Sequence, residues 1–139
     1  MDILKIIPPT RGNDAHGNGA YHAPRGSRIH KGVDKSCYKN SIILSISNGV
    51  VTKIGYPYNP ADPIKGHLRY IEITDTNGLR LRYFYVKASV GVGEKICKDQ
   101  IIGQAQGLLT VYPNITDHIH LEILDSKGAD YNPDFYTPC

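Results

Sequence analysis

The run Asp117-His118-Ile119-His120-Leu121-Glu122-Ile123 decides both the class of structure and the position of a candidate site. Apolar and polar residues alternate along it, which predicts a β-strand whose alternate side chains point to opposite faces. His118 and His120 are therefore expected on the same face. Two imidazoles placed in this way can share a metal ion, or one can bind the metal while the other handles protons beside it.

A second cluster, Arg28-Ile29-His30-Lys31-Gly32-Val33-Asp34, lies far upstream. A lone His-x-His is a weak signal, because such pairs occur by chance and a protein zinc site needs three or four ligands. The upstream cluster adds an imidazole at His30 and a carboxylate at Asp34, and Gly32 lets the backbone bend between them. Two histidines and one aspartate leave the fourth position of a tetrahedron open, which is typical of a catalytic zinc.

The length and charge of the chain limit its class. Its 139 residues are enough for one domain with a substantial core and too few for two ordinary ones. Lys and Arg number 16 against 13 Asp and Glu, a net charge of +3 without charged blocks. This mild excess suits an anionic polymer or a wall surface as partner and does not indicate dedicated nucleic-acid binding.

The cysteines and the apolar runs exclude other classes. Cys37, Cys97 and Cys139 permit at most one internal disulfide, and their spacing is unlike that of a structural zinc site, so buried or idle thiols are expected. No run reaches transmembrane length, and residues 1–9 lack the basic start and long apolar stretch of a signal peptide. These features predict a soluble chain with no visible leader.

Short β-prone runs bounded by turn residues fill the chain from Ser41 onward. Asn77-Gly78 between the alternating runs 68–74 and 79–86 predicts an antiparallel hairpin. No window shows a sustained helical period, so the fold is predicted to be mainly β with at most a short helical turn. The other predicted strands are 42–46, 49–55, 95–97, 101–105 and the His118 strand.

Two segments rich in turn residues are predicted to be loops. Residues 8–28 contain repeated Gly, Pro and Asn and lead into the first cluster, where a long loop is expected to form a wall of a cleft. His16 and His22 in that segment have no spaced partner and are interpreted as loop histidines, not ligands. Residues 56–67 are a proline-rich loop whose tyrosines could line a groove, and Asp62 and His67 there are interpreted as structural.

With these clusters placed, the chain resembles the zinc metallopeptidases of the lysostaphin and LytM type, the M23 peptidase family. The family pattern His-x-x-x-Asp followed far downstream by His-x-His is matched by His30, Asp34, His118 and His120. Further matches in the family's order extend the resemblance over about residues 28–136, among them Gly32-Val33-Asp34, 48–51, 93–95, 102–104 and Asn132-Pro133. The resemblance implies a compact domain with an antiparallel β-sheet core and long loops around a zinc cleft.

The resemblance also implies roles for individual residues. His30, Asp34 and His120 would bind one Zn²⁺ per chain, and His118 would act as proton acceptor or transition-state stabiliser. One position departs from the pattern: where many members have Tyr-x-His, this chain reads Tyr83-Phe84-Tyr85. A phenol at Tyr85 can still donate a hydrogen bond to a developing oxyanion.

That departure, with Val111-Tyr112-Pro113 ahead of His-x-His, is closer to the leukocyte cell-derived chemotaxin branch. This branch shares the fold and zinc site and is regarded as a signalling group. Two hypotheses follow: a zinc endopeptidase that cleaves peptide bonds of peptidoglycan, or a non-catalytic zinc-stabilised binding module. The first implies action in the periplasm or at the cell wall outside the cell, for example as a delivered antibacterial effector or a phage protein.

The predicted domain organisation has two parts. Residues 1–27 form an irregular N-terminal segment that packs on the domain, and residues 28–139 form the zinc peptidase-like domain.

Overall fold

A computed structural model describes residues 32–112, 114–133 and 136 with their side chains, together with the backbone of residues 3–4, 24–25 and 28–29. The predictions for His16, His22, His30 and Cys139 lie outside the side chains it describes. The predicted domain boundary at residue 28 likewise stays a prediction.

The described residues form β-strands joined by turns, and no α-helix occurs among them. This confirms the mainly β prediction. The strands are β1 (Ile3–Leu4), β2 (Pro24–Arg25), β3 (Arg28–Ile29), β4 (Val33–Ser36), β5 (Ile42–Leu44), β6 (Gly49–Gly55), β7 (Tyr70–Asp75), β8 (Arg80–Phe84), β9 (Val86–Ala88), β10 (Lys95–Ile96), β11 (Ile101–Ala105), β12 (His118–Leu124) and β13 (Asp130–Tyr131).

The larger sheet carries the candidate site. Its antiparallel strands follow the order β10-β6-β7-β8-β12-β13, and β4 pairs with the first half of β12. β7 and β8 form the predicted hairpin, with Gly78 at a positive φ of 85° in the turn between them. Glycine suits that position because it has no Cβ to clash in the left-handed region.

Alternation along these strands divides the larger sheet into two faces. One face supplies the core, and its side chains at Ile71, Ile73, Leu81 and Ile123 are 0% exposed. Burying each of them contributes about 1.5–3 kcal/mol of transfer free energy. The opposite face carries Asp34 and the two histidines of β12, as a period of two requires.

A smaller sheet, in the order β1-β5-β11-β9, packs its apolar residues into the same core, including Ile43 and Ile102. β1 is parallel to β5, a pairing that the sequence did not predict. The interpretation of residues 8–28 as loop also missed the pairing of Pro24–Arg25 with Arg28–Ile29. Such short strands carry too few residues to show an alternating pattern.

A second, small apolar cluster lies beneath the loops beside the site. Leu68 and Leu108 are 0% exposed there and Ile115 is buried with them. Half-buried residues that pack against this cluster are Tyr58, Tyr85, Val111 and Tyr112. The proline-rich loop of residues 56–67 is thereby tied to the segment that precedes β12.

Candidate metal centre

Strand register places the site residues next to one another. His120 is paired across the strands with Asp34 of β4 on one side and with Phe84 of β8 on the other. Directly paired residues of an antiparallel sheet have side chains on the same face and about 5 Å apart. Asp34 and His120, 86 positions apart in sequence, therefore meet because β4 pairs directly with β12.

The Asp34 carboxylate contacts both histidines. Its Oδ1 lies 2.7 Å from His120 Nδ1, and its Oδ2 lies 3.5 Å from His118 Nε2. Asp34 is 3% exposed, His118 is 4% exposed and His120 is 9% exposed. The prediction that both imidazoles look the same way is confirmed, and both of them face the predicted carboxylate.

His120 lies between two carboxylates. Its Nδ1 contacts Asp34, and its Nε2 lies 3.1 Å from Glu122 Oε1. Burial alone would lower the pKa of His120, but the hydrogen bonds and charges of Asp34 and Glu122 outweigh it and raise the pKa to about 9. Without a metal ion, the ring at neutral pH carries a proton on both nitrogens and donates to both carboxylates. Nδ1 would lose its proton on binding a metal ion.

His118 is oriented by the backbone. Its Nδ1 lies 2.7 Å from the carbonyl oxygen of Thr116. A carbonyl oxygen can only accept, so Nδ1 carries the proton and donates it. In the neutral ring, Nε2 is then the acceptor nitrogen, and it is the nitrogen directed at Asp34. His118 thus offers a basic nitrogen to the same space that Asp34 and His120 enclose.

Gly32 leaves room for this arrangement. A Cβ added at Gly32 would meet the carbonyl oxygen of Leu121 and lie 3.0 Å from His120 Cε1. The backbone can approach β12 closely here only because the side chain is missing. Gly32 was predicted to let the backbone bend between His30 and Asp34. In addition, its missing side chain leaves space for the His120 ring.

Tyr85 lies at the junction between β8 and β9, where the chain passes from one sheet to the other. Its φ is 70°, a conformation that costs free energy for a residue with a side chain and that is held here by surrounding contacts. Its ring centroid lies 6.0 Å from that of His118, edge to face. Burial, the neighbouring tyrosines and Asp34 raise the pKa of Tyr85 well above its ordinary value, so the phenol remains a proton donor.

The donors present fit a divalent metal in part. Asp34 Oδ1 and His120 Nδ1 converge, and Glu122 holds the far nitrogen of the ring, which is how carboxylates orient metal-binding histidines. No group of three or more metal-type side chains suited to hold an ion is found within residues 32–112, 114–133 and 136. The third predicted ligand, His30, lies outside that part, so the set of three stays a prediction.

Three neighbours of the histidines escaped the sequence reasoning. They are Glu122, the carbonyl of Thr116, and Asp117, whose Oδ1 accepts hydrogen bonds from the backbone N–H groups of Leu108 and His118. Glu122 follows His120 by two positions on the same face, so the alternation that paired the histidines also contained the signal for it. Nothing in the sequence indicated the backbone carbonyl.

The remaining interpretations concern residues away from the histidines. Asp62 is structural: its Oδ1 accepts from the N–H groups of Ile64 and Lys65. His67 is exposed, and its carbonyl accepts from the Gln106 side chain. Cys37 is a buried free thiol whose pKa burial raises to about 12, and Cys97 is an exposed free thiol.

Comparison with known proteins identifies the family. A model of peptidase family M23 matches residues 28–133. Leukocyte cell-derived chemotaxin-2 of Bos taurus is 32% identical over 112 residues, which are 81% of this chain and 71% of the relative. The same protein of Mus musculus is 31% identical over 114 residues, 82% of this chain and 72% of the relative. The chain belongs to the M23 peptidase family.

Solved structures of the family share the fold. A mutant of the catalytic domain of the prophage-encoded M23 protein EnpA from Enterococcus faecalis superposes with a TM-score of 0.66 at 18% identity, covering 94% of this chain and 96% of that one. The catalytic domain of the antimicrobial peptidase lysostaphin from Staphylococcus simulans gives a TM-score of 0.62 at 21% identity, covering 88% and 89%. The predicted lysostaphin-like architecture is therefore confirmed. Among the described residues, no helix is long and apolar enough to span a membrane.

Proposed function

We propose that this chain is a zinc-dependent endopeptidase that hydrolyses peptide bonds of peptidoglycan. The observation that supports it most is the convergence of the Asp34 carboxylate with the nitrogens of His118 and His120 on one buried sheet face. A histidine pair that only stabilises the fold does not require a second imidazole whose Nε2 faces the carboxylate. A hydrolytic site does.

Asp34, His120 and, by the family pattern, His30 are the residues that would hold the zinc. When bound, zinc polarises the scissile carbonyl and lowers the pKa of water, which is the chemistry that a peptide hydrolase needs at neutral pH. Asp34 and His120 supply donors fixed by strand pairing, and Glu122 keeps the His120 ring from turning.

His118 is assigned the proton-handling role. Its Nδ1–H is engaged by the Thr116 carbonyl, so the basic Nε2 is presented to the reacting space and can take a proton from the attacking water and return it to the leaving amine. Tyr85 is assigned the role of donor to the oxyanion that develops on the carbonyl. Its raised pKa keeps the donated proton on the phenol throughout.

A second function is favoured by Tyr85 and by the curated relatives. Chemotaxin-2 proteins of Bos taurus and Mus musculus match most of this chain, and Tyr85 stands where many peptidases of the family carry a histidine. On this alternative, zinc stabilises the fold and the cleft or the outer face binds a receptor or a glycan. Action in the periplasm or at the cell wall belongs to the first function and remains a proposal with it.

One experiment separates the two functions. Purified wild type, His118→Ala and His120→Ala are analysed for zinc content, and zinc-supplemented samples are incubated with purified sacculi while soluble muropeptides are measured. The endopeptidase is expected to contain one zinc per chain and to release muropeptides. His120→Ala should lose both properties, because it removes a ligand.

The matched variant is His118→Ala on the same strand face. It is expected to keep zinc and melting temperature and to lose about two to four decades of release, the usual worth of a general acid–base group. If wild type and His118→Ala both retain zinc and release equally little, the endopeptidase is excluded and the binding module takes its place.

A further inference from the structure

Three tyrosine hydroxyls from separate segments form a chain beside the candidate site. Tyr58 Oη lies 2.8 Å from Tyr112 Oη and 3.4 Å from Tyr85 Oη. The three residues come from the proline-rich loop, the segment before β12 and the junction of β8 with β9. Tyr112 lies 54 positions from Tyr58 in the sequence, and Tyr85 lies 27 positions from it. Folding, and not local sequence, therefore brings the three hydroxyls together.

The group is held from both sides. Beneath it, the rings pack on the buried cluster of Leu68, Leu108 and Ile115. Next to it, Lys65 Nζ lies 5.2 Å from the ring centroid of Tyr58 and 5.3 Å from that of Tyr112. A cation over an aromatic face is attracted by the ring and draws electron density toward itself. A phenol beside such a charge is a better hydrogen-bond donor.

One end of the chain of hydroxyls reaches the reacting space. Tyr85 contacts the His118 ring edge to face, and the charge of Asp34 acts on its phenol. The positive φ of Tyr85 fixes the direction in which its side chain leaves the backbone, and its N–H is held by the carbonyl of Arg69. Tyr58 and Tyr112 lie farther along the chain of hydroxyls.

We propose that Tyr58 and Tyr112 are positioning residues that orient and polarise the Tyr85 hydroxyl, so that it donates to a tetrahedral oxyanion on a peptide substrate. The inference rests on the proposed function, in which Tyr85 is the oxyanion donor. It adds two residues from outside the histidine cluster and gives the proline-rich loop a part in the reaction.

The direction of the hydrogen bonds follows from the role of Tyr85. A hydroxyl has one proton, so Tyr85 can donate to an oxyanion only if it accepts from Tyr58. Tyr58 then accepts from Tyr112, and all three protons point toward the reacting carbonyl. Aligned hydrogen bonds polarise one another in a low-dielectric setting, so the last donor is strengthened by the two behind it. The 3.4 Å contact is long, as contacts of catalytic groups are before substrate binds.

The test uses a tetrahedral probe and its planar counterpart. The probe is an end-blocked phosphinic pseudo-dipeptide of glycine, in which a phosphinate replaces the amide, and the counterpart is end-blocked diglycine. Calorimetry measures the affinity of both for the zinc-loaded full chain. The variants are Tyr85→Phe, Tyr58→Phe, Tyr112→Phe and the double variant Tyr58→Phe/Tyr85→Phe. The matched control is Tyr56→Phe, an exposed tyrosine of the same loop that stacks on Arg69.

The expected pattern is a graded loss that affects only the phosphinate. Tyr85→Phe should weaken its binding by about 100-fold, the lower range for one oxyanion donor. Tyr58→Phe should weaken it by about 5-fold, the worth of one neutral hydrogen bond, and Tyr112→Phe by less. The double variant should equal Tyr85→Phe, because Tyr58 acts only through Tyr85. Tyr56→Phe should bind the phosphinate with the wild-type affinity. Every variant should bind diglycine with the wild-type affinity.

Three results overturn the inference. One is a Tyr58→Phe affinity equal to wild type, another is additive losses in the double variant, and the third is an absence of phosphinate binding by wild type. If Tyr58→Phe lowers the melting temperature, Tyr112→Phe decides in its place by the same criteria. Phosphinate binding that shows the graded loss, together with no release of muropeptides from sacculi, would support the hydroxyl chain and exclude the endopeptidase. Muropeptide release by wild type, together with a phosphinate affinity of Tyr58→Phe equal to that of wild type, would support the endopeptidase and exclude the hydroxyl chain.

Discussion

The two faces of strand β12 differ in what they contribute. Ile119, Leu121 and Ile123 point into the core, and the last of them is 0% exposed. On the opposite face, His118 and His120 are also nearly buried but contact a carboxylate. The core face gains free energy from leaving water, whereas the histidine face holds polar groups at a cost that their mutual contacts offset.

That difference separates stability from chemistry within one strand. A residue of the core face can be exchanged for another apolar residue of similar volume with modest loss. A residue of the histidine face has no such substitute, because its function depends on particular donor and acceptor atoms. We therefore expect substitutions on the core face to lower the free energy of unfolding, and substitutions on the histidine face to lower zinc binding and hydrolysis.

The largest effect is expected at Asp34. Asp34→Ala removes a predicted ligand and the carboxylate that both imidazoles face. Zinc content should fall to near zero and muropeptide release should be lost. Elemental analysis of freshly purified protein measures the first, and a wild type that is equally free of zinc would show that the site is not a metal centre. Ser36→Ala, which replaces a half-buried residue two positions along β4, is the control.

At Ile123, a large loss of stability without loss of zinc binding is expected. Ile123→Ala leaves a cavity in the hydrophobic core beneath β12 and should lower the free energy of unfolding by about 2–5 kcal/mol. Zinc stoichiometry should be unchanged in the folded fraction. Urea denaturation measures the stability, and Leu124→Ala on the half-buried opposite face should cost clearly less. Equal costs at the two positions would contradict the assignment of faces.

An intermediate effect is expected at Glu122, which holds the far nitrogen of His120. Glu122→Ala should weaken zinc binding by about 10–100-fold, because partners that orient a metal-binding histidine are commonly worth that much. Glu122→Gln keeps an oxygen that accepts from Nε2 and should lose less. Competition with a chelator of known zinc affinity measures both variants. A Glu122→Ala affinity equal to wild type would limit the orienting role to the metal-free protein.

The smallest effect is expected at Glu72, on the same face as His120 but two strands away. Burial would raise the pKa of Glu72, but hydrogen bonds from Thr52 and Arg82 outweigh it, and the pKa is lowered. A carboxylate with a lowered pKa in the folded state contributes stability above its ordinary pKa and loses it as pH falls. Glu72→Gln should therefore cost about 1 kcal/mol at neutral pH.

That cost should shrink as the pH falls below about 4.5, because wild type then loses the same contribution. Thermal unfolding of both proteins between about pH 3 and pH 7 measures the difference. The exposed Glu94 provides the control variant, Glu94→Gln. A difference between wild type and Glu72→Gln that grows on acidification would mean that the Arg82 contact does not favour the ionised form.

Most of the β-structure could be predicted because its signals are local. Alternation predicted β12, and Asn77-Gly78 predicted the hairpin of β7 and β8. The parallel pairing of Ile3–Leu4 with β5 and the short pairing of β2 with β3 could not be predicted, because two residues carry no period. Pairing partners distant in sequence are likewise not specified by propensity.

For the site, residue types and spacing predicted that His118, His120 and Asp34 belong together. The family pattern suggested which of them bind metal, and His30 remains a prediction. No pattern of residues indicated that Phe84 would lie beside His120 or that the Thr116 carbonyl would accept a hydrogen bond from His118. Those contacts depend on strand register and on a backbone carbonyl, which no side-chain pattern records.

The sequence by itself determined that the chain is a β-protein with two histidines on one strand face and an acidic residue far upstream to meet them. Only the tertiary structure decided the orientation of each ring, the pairing of Glu122 with His120, and the meeting of three tyrosine hydroxyls beside His118. The physical reason is distance along the chain. Strand alternation acts over two residues and is visible in the sequence, whereas the choice between two nitrogens of an imidazole depends on groups that folding brings to within about 3 Å.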